Sequence, residues 1–470
     1  MMNANSEILN PPAAHQRPRK SSLAGYVMLS GLQWLRGSHS LKLFREISSE
    51  PFVSPEEVRS NQLRRLTELL AHAEQRVPYY RELLNSLKIT SRDIRSFSDF
   101  SQLPILTKDT VRERWRDLVR EDVPLESLSK HYSGGSTGIP LTFYRDKEYM
   151  DASEAGTFRN FAQAGWRPGE MIAFFWGSNE RIQQMSRAQF ELRQRLRRMY
   201  QFDPFHSGTD QLREWLERWR SLDATIALGY SSTVARFAQF IESSGVKVEP
   251  LRGVFTTAEK LYGPQREVIE RVFGCRAYDC YGSSEVQNIA AECPAGSMHI
   301  NADYVYLESS SDSSAGDAPP LLVTSLKNYA MPFIRYRNED CGTLLDGSCG
   351  CGNNFPLMRL NVARVSDNFT FPDGRVVHGE FFTHLMYGSS GIDTFQFHQT
   401  SPDHITLWIV PGEGDAESRR RTVESAINQI KGLTGEAVTV EIREVSAIPL
   451  SNAGKHRFTR SDVGESSSLS

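Results

Sequence analysis

Apolar residues recur at three- and four-residue steps between Pro55 and Leu87. Leu63, Leu66, Leu70 and Ala73 fall on one helical face, and Val77-Pro78 breaks the run. LPILTKDTVRERWRDLV (103–119) starts extended and turns helical, with Thr107 placed to cap it. After a further helical stretch to Ala164 the period changes. MIAFFWG (171–177) is a continuous apolar run closed by glycine, as in a buried strand. Leu212, Trp215, Leu216 and Trp219 share one helix face and read as core. TIALGY (225–230) is a strand, STVARFAQFIESSG a helix stopping at Gly245, and GVFTT (253–257) a strand. GPQREVIERVFG then reads as a helix and RAYDCYG as a strand. Strands alternating with helices predict parallel pairing through helical crossovers, hence an α/β architecture.

ADYVYLE and LLVTSL read as a strand pair on either side of the polar, low-complexity SSSDSSAGDAPP. Past residue 360, FQFHQ, ITLWIV, the helical DAESRRRTVESAINQIKGL and AVTVEIREV make a β-β-α-β unit of domain size. The expected organisation is a flexible tail over 1–22, a large multi-sheet domain over 23–363, a small α+β domain over 364–460 and a disordered tail over 461–470. The hinge is placed near Arg364–Asp367. LAGYVMLSGLQWL (23–35) is apolar but interrupted by Gly25, Ser30 and Gly31, and reads as a core helix in preference to a membrane-surface anchor.

Bulk properties narrow the function classes. A chain of 470 residues needs more than one core. Its 54 Lys and Arg against 57 Asp and Glu leave a net charge of -3, which gives no support for nucleic-acid binding as the main task. No run reaches the ~18–20 apolar residues of a membrane span. The opening MMNANSEILNPPAAHQRPRK lacks the apolar centre of a signal peptide, so the expected location is cytoplasmic. The cysteines all lie between Cys275 and Cys351, a clustering that reads as a metal site or buried thiols and not as a secreted disulfide framework.

In open α/β sheets ligands bind beyond the carboxyl ends of strands. That singles out Tyr230-Ser231, Thr257-Ala258-Glu259 and Tyr281-Gly282-Ser283-Ser284-Glu285. In HYSGGSTGIPLTFYRD (131–146), Ser133, Gly134, Gly135, Ser136, Thr137 and Gly138 can wrap phosphate oxygens with N–H groups and hydroxyls. Alone, the run reads first as a plain surface turn. It is not a Walker loop, because Ile139 stands where a lysine is needed. In YGSSE, Glu285 can hold Mg2+ while Ser283 and Ser284 hold phosphate; the alternative is a turn with a surface acid. Asp340 in RYRNED can accept from ribose hydroxyls or be a salt-bridged loop acid. Lys455, after Gly454, can neutralise phosphoryl charge or simply be solvated.

The order of these elements is more specific than any one of them. YSGGSTG, TTAEK, YGSSE, YRNED, ARVSDNF and a late IP…GK element resemble the adenylate-forming superfamily of acyl-CoA ligases. Within it the chain looks like the phenylacetate–CoA ligase branch, with its relatives in capsule and exopolysaccharide biosynthesis. VPYYREL (77–83), LPILTK (103–108), GYSSTVARFA (229–238) and CGCGNNFP (349–356) carry the same likeness. The resemblance implies an N-terminal adenylation domain with a small mobile C-terminal lid. It also implies ATP, Mg2+ and coenzyme A as cofactors and a small carboxylic acid as substrate. By that resemblance Ser133–Gly138 form the phosphate loop, Ala258 and Glu259 flank the adenine, and Tyr281 stacks on it. Gly282, Ser283 and Ser284 belong to the phosphate-contacting turn, and Glu285 takes Mg2+. Asp340 takes the ribose, Arg364 precedes the hinge, and Lys455 supports adenylation.

Where the family hinge reads G-R-x-D-D, this chain has Ala363-Arg364-Val365-Ser366-Asp367. Ser366 at the hinge acid position leaves the acceptor open between coenzyme A and an amine, a sugar or a carrier protein. A non-catalytic scaffold that kept the fold is the remaining alternative. Cys293, His299, Cys349 and Cys351 make a Cys3His set suited to a closed structural Zn2+ site, as related chains also have here. Cys275, Cys280 and Cys341 read as small core residues, with Cys280 and Cys341 in reserve should Cys293 not be a ligand. The acyl pocket is expected near Trp176, Tyr230 and Phe255, and a homodimer is compatible with the sequence.

Overall fold

The computed structural model describes residues 23–133, 141–177, 185–204, 209–310, 319–362, 368–386, 391–412, 416–448 and 457–463. Helices α1 (Leu23–Leu35), α2 (Ser40–Ile47), α3 (Pro55–Arg76), α4 (Pro78–Leu87), α5 (Phe97–Phe100) and α6 (Lys108–Leu118) come first. Local chemistry fixes their ends. Ser54 caps α3 by accepting from Glu57 N at 3.2 Å with Pro55 at the first turn, and Thr107 caps α6 by accepting from Thr110 N at 3.2 Å.

Strands β1 (Ser129–Tyr132) and β2 (Thr142–Arg145) pair antiparallel and lead into α7 (Lys147–Ala162). The alternating run follows as β3 (Met171–Phe175), α8 (Arg187–Arg197), β4 (Met199–Phe202), α9 (Thr209–Ser221) and β5 (Ala224–Tyr230). It continues with α10 (Ser231–Ser243), β6 (Gly253–Thr257), α11 (Gly263–Phe273) and β7 (Arg276–Tyr281). These strands pair in parallel in the order β7-β6-β5-β3-β4, as the alternation predicts. One face carries the α9–α11 core, with Trp215, Trp219, Phe237 and Phe273; the other carries Phe158, Phe161 and Trp166 of the α7 side.

At β7 the ladder changes direction. β8 (Ala290–Glu292), β9 (Met298–Ile300), β10 (Val305–Ser309), β11 (Pro320–Ser325), β12 (Tyr336–Leu345) and β13 (Leu357–Val362) extend it as β10-β11-β12-β13-β9-β8, all antiparallel. The N-terminal helices cover this half through Leu66, Leu70, Tyr80 and Phe100. A separate core belongs to the last region: β14 (Asn368–Thr370), β15 (Val376–His378), α12 (Gly379–Leu385), β16 (Ile392–Ser401), β17 (His404–Pro411), α13 (Ala416–Thr434), β18 (Thr439–Glu444) and β19 (Thr459–Ser461). Its sheet runs β18-β17-β16-β19, with α13 contributing Ala426 and Ile430 to the core.

Three expectations need correction. RYRNED opens β12, so Asp340 is a strand residue and not a loop acid; its polar residues hid the strand. Phe255 is fully buried against Phe161 and Tyr278, so it is a core residue between the sheet and α7. Segment 23–35 is helical and sets Leu29 in the core with Tyr26 packed beside it, but leaves Leu23, Val27, Trp34 and Leu35 exposed.

Candidate active site

The switch from parallel to antiparallel pairing ends β7 at Tyr281 and puts YGSSE on the sheet's rim. A tight turn follows. Ser283 N donates to Val286 O at 2.8 Å, and Val286 N donates to Ser283 Oγ at 3.1 Å. A Cβ at Gly282 would sit 3.2 Å from Asn288 N, so the turn is closely wound there. Glu285 is fully buried and its Oε1 accepts from Tyr336 Oη at 3.0 Å.

Tyr281 Oη donates to Asp340 Oδ2 at 2.9 Å, across 59 positions of sequence. Asn338 Nδ2 donates to Tyr281 Oη at 2.8 Å and to Asp340 Oδ2 at 3.1 Å. Tyr336, Asn338 and Asp340, at two-residue steps on β12, thus bring Glu285, Tyr281 and the candidate ribose carboxylate together. The strand is irregular at this point. Its pairing with β11 shifts register between Pro320 and Leu322, opposite residues 338–340, and its pairing with β13 shifts between Cys341 and Gly342. A bulge re-aims side chains and leaves backbone groups without ladder partners. Here Asp340 N donates to Asn338 Oδ1 at 3.2 Å.

Ser133 lies at the base of the glycine-rich loop. Its N–H donates to Leu141 O at 3.0 Å and its hydroxyl accepts from Leu141 N at 3.0 Å, pinching the two ends of the loop together. Gly134, Gly135, Ser136, Thr137, Gly138, Arg364 and Lys455 lie outside the described residues. Arg145, just past the loop on β2, is buried with its guanidinium 4.9 Å from the ring centroids of both Phe143 and Tyr149. It donates to the carbonyl of Ser284, which fastens the loop's strand to the YGSSE turn. His131, across from Phe143 on β1 and stacked on it, is half-buried beside this arginine. Burial first, and then the Arg145 charge, push its imidazole down to about 4.

Ala258 and Glu259 follow β6. Ala258 adopts φ +67°, a left-handed conformation that disfavours a side chain. The Glu259 side chain serves the first turn of α10: Ser232 N donates to its Oε2 at 2.8 Å, and the hydroxyls of Ser231 and Ser232 donate at 3.1 and 3.0 Å. A carboxylate there complements the helix dipole. Trp176 and Tyr230 stack with centroids 4.4 Å apart.

The cysteine and histidine residues converge. The ligand atoms of Cys293, His299, Cys349 and Cys351 all lie within 4.8 Å of one another. Cys293 and Cys349 Sγ are 3.7 Å apart, and Cys351 Sγ is 3.4 Å from His299 Nε2. A tetrahedron with zinc–sulfur bonds of about 2.3 Å has a sulfur–sulfur edge of about 3.8 Å and a sulfur–nitrogen edge of about 3.6 Å. His299 Nδ1 lies 3.0 Å from Phe355 O, the outer hydrogen bond that presents Nε2 as the ligand atom. The donor set fits Zn2+. Cys275 and Cys280 are half-buried in the two faces of the parallel half, and burial raises both thiols, Cys275 to about 12.

Sequence reasoning missed Tyr336, Asn338 and Arg145. The first two were legible by stepping back in twos from Asp340. Arg145 was legible only as a charge inside a β-rich, aromatic run.

The CapK C-terminal domain family matches residues 369–462. Protein CapK of Staphylococcus aureus is 21% identical over 86% of this chain and 89% of its own length. Phenylacetate-coenzyme A ligase of Escherichia coli is 30% identical over 63% of this chain and 69% of its own length. The Thermus thermophilus protein of that name is 26% identical, with coverage of 66% and 71%. A solved 2-hydroxyisobutyryl-CoA ligase in complex with 2-HIB-AMP and CoA shares the fold. Its TM-score is 0.60 at 18% identity, over 88% of this chain and 92% of that one.

Proposed function

The chain belongs to the adenylate-forming ligase family of phenylacetate-CoA ligase and CapK, and from that premise we propose that it joins a small carboxylic acid to AMP from ATP, releases pyrophosphate, and passes the acyl group to a thiol, coenzyme A first among them. The observation that carries this reading is the contact of Tyr281 with Asp340 and Asn338, beside Glu285 and Tyr336. Residues from two distant motifs, YGSSE and YRNED, meet along β12, which supports a ribose carboxylate beside a cation carboxylate.

In-line attack by a carboxylate on a phosphorus centre asks the protein for positioning and charge neutralisation more than for covalent chemistry. Asp340, oriented by Tyr281 and Asn338, accepts from the ribose hydroxyls. Tyr281 offers its ring to the adenine, next to the Ala258–Glu259 turn. The Ser133–Gly138 loop, drawn closed at Ser133 and Leu141, holds the departing phosphates through N–H groups and hydroxyls. Arg145 keeps a positive charge between that loop's strand and the Ser284 turn. Glu285, held by Tyr336, would hold Mg2+, which would supply positive charge to the phosphates. Lys455 is assigned the charge developing on the phosphoryl group. The Cys3His cluster is assigned a structural Zn2+ that ties the β12–β13 hairpin to β8 and β9.

Ser366 at the hinge supports a second reading, adenylation followed by transfer to an amine, a sugar or a carrier protein. Exchange of labelled pyrophosphate into ATP, run over a panel of aryl and alkyl carboxylic acids, tests the core reaction. Acid-dependent exchange that collapses in Lys455→Ala is expected. Formation of ADP and phosphate, or exchange unchanged in Lys455→Ala, overturns it. Adding coenzyme A and then candidate amines to the accepted acid decides the acceptor.

A further inference from the structure

Helix α1 turns its apolar side outward. Leu23, Ala24, Val27, Gly31, Trp34 and Leu35 are exposed and fall at the three- and four-residue steps of a single helical face. Trp34 at 80%, Leu23 at 78% and Leu35 at 75% are the most exposed large hydrophobic residues among the described ones. Scattered apolar residues on a surface are ordinary, but a continuous stripe marks an interaction site.

The opposite face is fixed. Gly25, Leu29 and Gln33 are buried, and a Cβ on Gly169 would fall 2.3 Å from Tyr26 N, so loop and helix backbones touch there. Gln33 Nε2 donates to Ser40 Oγ at 2.6 Å, while its Oε1 accepts from Leu41 N at 3.3 Å. Turning α1 to bury its stripe breaks this packing.

The surround is basic. α8 packs beside α1 and brings Arg193 and Arg197, and Arg36 follows α1 directly. Burial first, and then mutual repulsion among these guanidinium groups, lower Arg193 and Arg197; Glu154 is the acid that offsets Arg197. Leu192 of α8 adds another exposed apolar side chain, and Arg17, Arg19 and Lys20 precede α1 in the sequence. With 13 residues α1 is about 20 Å long, too short for the ~30 Å hydrocarbon layer. Among the described residues no helix is long and apolar enough to cross a membrane.

We propose that α1 and its arginine surround form a docking surface for an anionic lipid bilayer. The helix lies flat, with Leu23, Val27, Trp34 and Leu35 among the upper acyl chains and Arg36 and Arg193 at the lipid phosphates. Charge favours lipid over a second copy of this chain, because a two-fold contact through this face stacks one arginine cluster against the other. This inference does not rest on the proposed activity.

The test is co-sedimentation of the full chain with vesicles of phosphatidylglycerol and phosphatidylcholine, against phosphatidylcholine alone. Binding is expected to the anionic vesicles and to weaken with salt. Arg36→Gln and Arg193→Gln should each weaken it about five-fold. Trp34→Ser should weaken it by about ten-fold or more. Pyrophosphate exchange in solution should be unaffected in all three variants. Equal binding to neutral vesicles, no binding to anionic ones, or binding indifferent to these substitutions overturns the proposal. Sedimentation equilibrium showing an oligomer that Trp34→Ser disperses overturns it in favour of a protein contact.

Discussion

Tyr281→Phe separates two roles that one residue combines. Phenylalanine keeps a ring for adenine but removes the hydroxyl 2.9 Å from Asp340 and 2.8 Å from Asn338. A hydrogen bond to a charged group contributes about 1.5–3 kcal/mol. Asn338 still reaches Asp340 at 3.1 Å, so the loss falls at the lower end of that range. If Asp340 must then be oriented at the moment ATP binds, about 1.5 kcal/mol appears as roughly a ten-fold rise in KM for ATP. Pyrophosphate exchange at varied ATP measures it, with Asp340→Asn and the double variant closing a cycle. In the double variant Tyr281→Phe should add almost nothing, because the partner it orients is already altered. A Tyr281→Phe enzyme within two-fold of the parent, with Tyr281→Ala far worse, refutes the positioning argument and leaves the ring alone as the functional part.

The purified chain should carry stoichiometric zinc by elemental analysis. Cys349→Ser or a strong chelator should remove it and lower the melting temperature, and a well-folded chain without metal contradicts that role. His131 predicts a pH effect on stability. Its folded value lies at about 4, below the ordinary 6.5, so the unfolded chain gains a proton first as pH falls. The contribution is complete above pH 6.5 and is lost between about 6.5 and 4. After discounting for partial exposure it is roughly 1–2 kcal/mol. His131→Gln should flatten the stability profile in that window, as followed by denaturant midpoint, and a parallel profile sinks the assignment.

The parallel half of the fold was legible because its strands are unbroken apolar runs between helices, as in MIAFFWG and TIALGY. The antiparallel half was less so. β12 contains Arg337, Asn338, Glu339 and Asp340, and polar residues that face a site erase the alternation that marks a strand. The Cys3His set was readable from residue type and spacing, since ligand chemistry does not depend on knowing the turns between. Glu259 shows the reverse case. Its place after a strand suggested a ligand contact, while the serines that draw its side chain to α10 belong to a different segment. α1 was misjudged because composition reports how apolar a helix is and not which side faces out.

The two register shifts around Asp340 divide β12 into separately counted lengths. A strand that slips by one residue turns every side chain to its other face. Because the Cys341–Gly342 irregularity can take up such a slip, a change in hairpin length near Cys349 and Cys351 need not reverse the residues that hold the ribose carboxylate. The same strand can therefore diversify at its cysteine-bearing end over evolutionary time, or be re-engineered there, while the nucleotide end keeps its reading frame.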